Sequence, residues 1–217
     1  MQLYVYDSLL GGFSRFSLHR AAPLPYTDGA PVLLHDFLGS TTTETVWTDR
    51  ELLSAFGALA AQFGAPITVC GGFRRVLPGR SLCTSPRCAG LMLDVGADLC
   101  APERERLRRL AVQSGLFETV LPEYVAPTWV GLQKRVAPAC APGCPFPELR
   151  PGNSNSCVFA LQDALAVHGF PPDCGLTGRF CAATERALRA FCRARRTPYA
   201  GIADAGICCL LYTSDAA

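Results

Sequence analysis

The residues most able to do chemistry lie in the stretch Cys83 to Val95, CTSPRCAGLMLDV, which holds Ser85, Arg87 and Asp94. A carboxylate that is buried without a partner is costly, and a cation beside it offsets that cost. Arg87 can supply that cation, which predicts an Arg87–Asp94 ion pair. Ser85 has no histidine in its motif, and the chain has no G-x-S-x-G sequence. The pattern therefore does not indicate a serine nucleophile.

The same stretch resembles the S-x-H-x-x-G-x-A-x-D signature of zinc D-alanyl-D-alanine carboxypeptidases of the M15 peptidase group. Two further segments, Gly72-Phe73-Arg74 and Thr128 to Gln133, resemble motifs of that family. The resemblance covers residues 33–137 and implies an α+β peptidase-like domain with a small antiparallel sheet and flanking helices. It also implies that Arg74 reaches the substrate's terminal carboxylate, a role that suits the planar, two-pronged guanidinium.

The resemblance implies a zinc site whose ligands are mostly replaced. Arg87 and Gly131 stand at the two histidine positions and Gln133 at that of a nearby acid, so Asp94 is the only surviving ligand position. Catalytic zinc needs three protein ligands, which predicts no metal cofactor and hydrolytic activity that is absent or very weak. The alternative is an active zinc peptidase that cleaves D-Ala-containing peptidoglycan stem peptides with a metal-activated water.

A second arrangement of metal ligands around the same acid is a relocated site. It would combine Cys83, Cys88 and Asp94 with His19 or His35. The two cysteines lack the spacing of structural zinc sites, so this arrangement is less favoured.

The second half of the chain resembles a peptidoglycan-binding domain often fused to cell-wall hydrolases. The match covers 149–208 and implies a small three-helix bundle that binds glycan strands or stem peptides. The ligand-binding positions that it implies are Leu161, Gln162, Phe180, Thr184 and Phe191.

The two resemblances together predict a monomeric peptidoglycan-binding protein of the bacterial cell wall with a degenerate peptidase-like domain. No apolar run is long enough for a membrane span, and the first residues do not form a secretory signal. The net charge is +2, and the arginine-rich helix faces carry no interleaved aromatic residues, so a nucleic-acid partner is not expected. The twelve cysteines contain no CxxC pair, which favours reduced, buried thiols over a disulfide framework.

The periodicity of apolar residues and the positions of Gly and Pro predict the elements that position these residues. We expect an irregular arm at 1–32 with a short strand at Leu3 to Tyr6, and a strand or turn at Val32 to Phe37. Helices are predicted from a Thr48–Glu51 capping box to Gly64, from Pro102 to Ser114 with Arg104, Arg106, Arg108 and Arg109 outward, around Val158 to Gly169, and over 182–195. Strands are predicted at Ile67 to Cys70, Leu116 to Leu121 and Thr128 to Gln133.

Composition predicts the remaining boundaries. The Pro- and Gly-rich residues 138–148 read as a linker between the two domains. The last nine residues, CLLYTSDAA, resemble a translated sequencing adapter, so 209–217 is expected to be a non-native tail and the helical domain to be truncated.

Overall fold

The structure is a computed structural model, and it describes residues 1–75, 85–134 and 147–212. The described residues form an α+β fold, which confirms the expected fold class. The strands are β1 (Gln2–Asp7), β2 (Gly12–Ser17), β3 (Thr45–Asp49), β4 (Val69–Gly71), β5 (Met92–Val95), β6 (Thr119–Val120) and β7 (Val130–Gln133). The helices are α1 (Leu34–Leu38), α2 (Arg50–Phe63), α3 (Ala101–Ser114), α4 (Ser156–Val167), α5 (Ala182–Ala194) and α6 (Ala205–Tyr212), with a 3-10 helix at Pro86–Ala89.

The N-terminal residues form a hairpin, so the expectation of an irregular arm at 1–32 is wrong for its first half. Strand β1 pairs antiparallel with β2 and parallel with β3, in the order β2-β1-β3. Leu3 and Val5 alternate toward the core and are fully buried, while Gly11 turns the chain with a φ of 61°. The strand expected at Leu3 to Tyr6 is confirmed within β1. Its pairing with β3 could not be predicted, because β3 follows about forty residues later in the sequence.

The two helices that follow differ from expectation at their starts. Val32 to Phe37, expected as a strand or turn, leads into helix α1. Helix α2 ends at Gly64 as predicted, but its cap is Asp49, whose carboxylate accepts the Glu51 N–H at 2.8 Å. The capping box expected from Thr48 is therefore wrong. The Thr48 hydroxyl instead donates to the carbonyl of Gly90 at 2.7 Å.

A second, antiparallel sheet has the order β4-β5-β7-β6, and α3 contacts its β6 and β7 strands. Strands β4, β6 and β7 lie at the predicted places but cover fewer residues than expected. Helix α3 starts and ends as predicted, yet Arg108 is buried rather than outward. Its guanidinium donates to the carbonyls of Leu121, Ala126 and Trp129, which satisfies the loop between β6 and β7.

The three C-terminal helices pack on the rest of the chain through α4. Helix α4 is apolar on nearly every side and contacts β3, the 3-10 helix, α5 and α6. Phe159 on α4 stacks against Tyr4, Phe13 and Trp47 with ring centroids 5.0 to 5.4 Å apart. Buried residues from both halves thus belong to one apolar cluster.

The predicted linker and tail lie partly outside the described residues. Of the linker at 138–148, the structure describes only 147 and 148. Of the tail expected at 209–217, residues 209–212 form the last turn of α6, and residues 213–217 lie outside the described part. Leu211 is buried, and its carbonyl lies 2.8 Å from Nε2 of His168. Among the described residues, no helix combines the length and apolar character that crossing a bilayer requires.

Candidate functional site

The three segments that carry the carboxypeptidase resemblance meet around Asp94. Asp94 lies on β5, opposite Gly71 of β4 on one side and opposite Gly131 of β7 on the other. The 3-10 helix that carries Arg87 ends at Gly90 and runs directly into β5. Residues far apart in the sequence therefore converge on one carboxylate.

Arg87 forms a two-pronged ion pair with Asp94, as the sequence predicted. Its Nε lies 2.9 Å from one carboxylate oxygen and a terminal nitrogen lies 2.5 Å from the other. The side chains are only 16% and 15% exposed, so the pair is largely shielded from water. The Ser85 hydroxyl oxygen accepts from the Arg87 backbone N–H and from its guanidinium, each at 3.4 Å. Ser85 thus has a structural role as the cap of the 3-10 helix.

Gly90 lies where the 3-10 helix that carries Arg87 packs against strand β3 of the first sheet. Its φ of 65° is in the left-handed region, and a Cβ there would lie 2.1 Å from the carbonyl oxygen of Trp47. The indole N–H of Trp47 donates to the carbonyl of Cys88 at 2.9 Å. The close backbone approach that these bonds require is possible only with glycine at this position.

A small cavity of about 100 Å³ opens beside the ion pair. Its polar lining includes Arg74, Arg87, Asp94 and the thiol of Cys70. Arg74 is exposed, and its described hydrogen bond is made by the backbone N–H, which donates to the Arg87 carbonyl at 3.1 Å. The Arg74 guanidinium is therefore available to a ligand at the rim of the cavity. Partial desolvation of the thiol, followed by the nearby Asp94 charge, raises the pKa of Cys70, which keeps that thiol protonated near neutral pH.

The residues at the position where the resemblance implies a metal do not fit zinc. The Arg87 guanidinium occupies both oxygens of Asp94, and Gly131 offers no side-chain donor. A Cβ on Gly131 would lie 2.5 Å from Leu121 Cδ1 and 2.8 Å from Met92 Cε, so apolar side chains already fill the space that a histidine would need. Gln133, at the family's acid position, is half-buried at the end of β7.

The relocated metal site does not assemble among the described residues either. Cys88 is buried in the core, whereas His19 and His35 are exposed. Nε2 of His35 lies 3.1 Å from Oδ1 of Asp36. Cys83 lies outside the described residues. Within residues 1–75, 85–134 and 147–212, no three His, Cys, Asp or Glu side chains are grouped so that they could hold a metal ion.

The five ligand-binding positions expected in the helical part are buried in its core. They are Leu161, Gln162, Phe180, Thr184 and Phe191, and none is more than 1% exposed. These side chains therefore pack the core of the helical part, and their contact with a ligand, which would require the core to open, stays a prediction. A groove of about 270 Å³ in the helical part is lined instead by Gly169, Phe170, Pro171, Asp173, Ala183, Arg186, Ala187 and Ala190.

Gln162 shows what these buried positions do. Its carbonyl oxygen accepts the N–H groups of Thr177 and Gly178, each at 2.8 Å. Its amide nitrogen donates to the Arg179 carbonyl and to the Thr184 hydroxyl at 3.0 and 2.8 Å. One buried side chain therefore fixes the loop that leads into α5.

Two further pairs of interacting polar side chains were not predicted from the sequence. Arg75 makes a two-pronged bond to Asp163, with Nε 2.9 Å from one oxygen and a terminal nitrogen 2.6 Å from the other. The available signal was that Asp163 is the one acid in the apolar sequence of α4. The second pair is Cys174 and Cys181, whose sulfurs lie 3.3 Å apart.

Cys70, Cys100, Cys174, Cys181 and Cys192 are free thiols. Cys88, Cys157, Cys192 and Cys208 are buried, as expected for small apolar side chains, but Cys70, Cys100, Cys174 and Cys209 are exposed.

Comparisons with family models, with curated proteins and with solved structures find no match to this chain.

Proposed function

We propose that this protein binds peptidoglycan and that its carboxypeptidase-like domain does not hydrolyse it. The observation that carries the proposal is the two-pronged Arg87–Asp94 pair at the position where the resemblance implies a metal ligand. A guanidinium there supplies the positive charge that a metal ion would give to Asp94, but it cannot activate a water molecule for attack on a peptide bond.

The charge of the cavity favours a carboxylate ligand. The lining residues include two arginines, Arg74 and Arg87, and a single carboxylate, Asp94, so they carry an excess of positive charge. The cavity is smaller than the roughly 300 Å³ at which small-molecule sites begin, which suits a terminal group rather than a whole sugar ring. The C-terminal carboxylate of a stem peptide has this chemistry, and Arg74 would bind it with two parallel hydrogen bonds.

The helical part is proposed as the second contact with peptidoglycan. Its groove combines the aromatic ring of Phe170 and the small side chains of Ala183 and Ala187 with an exposed Arg186–Asp173 ion pair, 3.0 Å apart. An apolar floor with polar groups at its edge suits an amphipathic ligand such as a glycan strand. A peptidoglycan ligand in turn implies a location at the cell wall.

The proposal is tested by sedimentation of the purified full chain with insoluble peptidoglycan. We expect the chain to co-sediment, and Arg74→Gln to weaken binding of a free stem peptide ending in D-alanine by about tenfold, since one charge-assisted hydrogen-bonding group is lost. Arg109→Gln is the matched control, because Arg109 is 67% exposed on α3, away from the cavity. Equal affinities of the two variants for the stem peptide would show that Arg74 does not bind it.

Zinc content and release of D-alanine from a muropeptide separate the proposal from an active peptidase. We expect no stoichiometric zinc and no release of D-alanine that a chelator abolishes. Bound zinc together with chelator-sensitive release would overturn the proposal in favour of a metallopeptidase with an unusual ligand set.

A further inference from the structure

Two cysteines of the helical part lie in direct contact at the surface. Cys174 is in the loop after α4, and Cys181 is the N-cap residue of α5. Their sulfur atoms are 3.3 Å apart, about 1.3 Å more than the 2.05 Å of a disulfide bond. Cys174 is exposed and Cys181 is half-buried, so an oxidant in solution can reach the pair.

The loop between the two cysteines is already held in a closed form. Its middle is fixed by Gln162, which accepts the N–H groups of Thr177 and Gly178. The two cysteine ends then meet beside the Thr184 hydroxyl, which lies 3.9 Å from one sulfur and 3.7 Å from the other. Because the backbone is held in place, small side-chain rotations are the main motion that bond formation requires.

The surroundings make the two thiols chemically unequal. Burial opposes ionisation of Cys181, but hydrogen bonds from the Thr184 N–H, the Cys174 thiol, the Thr184 hydroxyl and the Ala183 N–H together lower its pKa to about 7. Burial, followed by the contact with Cys181, raises the pKa of Cys174. Near neutral pH, Cys181 is thus the thiolate that would attack a disulfide first, and Cys174 is the thiol that would react in the second step.

We propose that Cys174 and Cys181 form a reversible, redox-active disulfide with a small-molecule disulfide as oxidant. The Cys181 thiolate attacks one sulfur of the small disulfide, and its S–S bond breaks to release one small thiolate. Cys174 then loses its proton and attacks the Cys181 sulfur of the mixed disulfide, which expels the second small thiolate. The two cysteines lose two electrons, the small disulfide gains them, and the two protons end on the two small thiols.

The disulfide has a defined place beside the groove of the helical part. Asp173 and Ala183, which line that groove, lie one and two residues from the paired cysteines. Closing the S–S bond would join the first turn of α5 to the preceding loop and thereby fix one side of the groove. This inference needs only the thiol geometry and does not depend on which ligand the groove takes.

The test is to equilibrate the purified full chain at pH 7 with graded ratios of oxidised to reduced glutathione. Samples are quenched with acid, free thiols are alkylated, and disulfides are mapped by mass spectrometry. We expect the Cys174–Cys181 bond to form at a lower ratio than any other bond within the chain. Before oxidation, Cys181 should alkylate about fivefold faster than Cys174, since its larger thiolate fraction outweighs its lower intrinsic nucleophilicity.

Two serine variants make the roles separable. Cys174→Ser should trap Cys181 as a mixed disulfide with glutathione, whereas Cys181→Ser should leave Cys174 mostly reduced and keep the helix cap. Circular dichroism checks that both variants fold. The proposal is overturned if the two cysteines stay unlinked under full oxidation, if they pair chiefly with other cysteines, or if Cys174→Ser accumulates no mixed disulfide.

Discussion

At the scale of single residues, the chain handles buried charge in two different ways. Asp94 and Asp163 are each paired with a two-pronged arginine, whereas the hydrogen bonds that the buried Asp49 accepts from described residues come from backbone N–H groups. Burial raises the pKa of Asp49 to about 6, although the Glu51 N–H that it caps opposes the change. Because this capping carboxylate is costly to ionise in the folded protein, the free energy of unfolding should depend on pH.

We expect the Asp49→Asn variant to be more stable than the parent chain at pH 7.5 but not at pH 4. In the folded protein Asp49 holds its proton up to about pH 6, whereas in the unfolded chain it loses it near pH 3.8. The folded state therefore binds more protons in this window, and its stability falls as pH rises, by about 3 kcal/mol in total. Asparagine keeps the cap without the charge. Urea unfolding at the two pH values measures the difference, and a gap that does not change with pH would contradict the prediction.

At the scale of elements, the site is set by how closely the 3-10 helix and β3 approach each other. Trp47 and Thr48 of β3 both bond to carbonyls at the end of the 3-10 helix, and Gly90 leaves the room for them. The glycine of the signature is therefore needed for packing between two elements and not for contact with a ligand.

Two glycine variants test that role against backbone conformation alone. Gly90 and Gly115 have nearly the same φ, 65° and 63°, but a Cβ at Gly115 would meet nothing within 4 Å. Gly115→Ala should therefore cost about 1 kcal/mol from the left-handed backbone, and Gly90→Ala about 3 kcal/mol or more, because it also pushes on the Trp47 carbonyl. Chemical unfolding with Trp fluorescence compares them, and equal losses would show that packing at Gly90 is unimportant.

The elements also show which features a sequence can reveal. Helices α2, α3 and α5 were predictable because apolar spacing and glycine stops are local signals. The Arg87–Asp94 pair was predictable for the same reason, since seven positions separate the two residues within one motif. The β1–β3 pairing and the Arg75–Asp163 bond were not, because the latter joins residues 88 positions apart and depends on the tertiary fold.

At the scale of the whole molecule, the helical part is joined to the sheets by both apolar and polar contacts. The rings of Phe159 and Trp47 meet at 5.0 Å, and a Cβ on Gly178 would lie 2.0 Å from the Phe13 ring. The Arg75–Asp163 pair adds a bond from the segment after β4 to the middle of α4. These contacts predict that the two parts unfold together.

We therefore expect Arg75→Ala to lower the free energy of unfolding by about 2–4 kcal/mol and to shift both parts of the molecule equally. The carboxylate of Asp163 is only 1% exposed, so removal of Arg75 leaves it buried without its charge partner. Trp fluorescence reports on the first part of the chain, because Trp47 and Trp129 both precede residue 135, whereas far-UV circular dichroism reports on the helices of both parts, α2 and α3 as well as α4, α5 and α6. Both signals should change at the same urea concentration in the parent chain and in the variant.

The double variant Arg75→Met/Asp163→Leu supplies the control for that result. It removes both charges, so it should regain most of the stability that Arg75→Ala loses, because the buried carboxylate is no longer present. Two separate transitions in the parent chain, or a shift of the circular dichroism signal alone in Arg75→Ala, would mean that the helical part folds independently. Coincident transitions with recovery in the double variant would instead mean that the carboxylate at the centre of α4 links the stability of both halves.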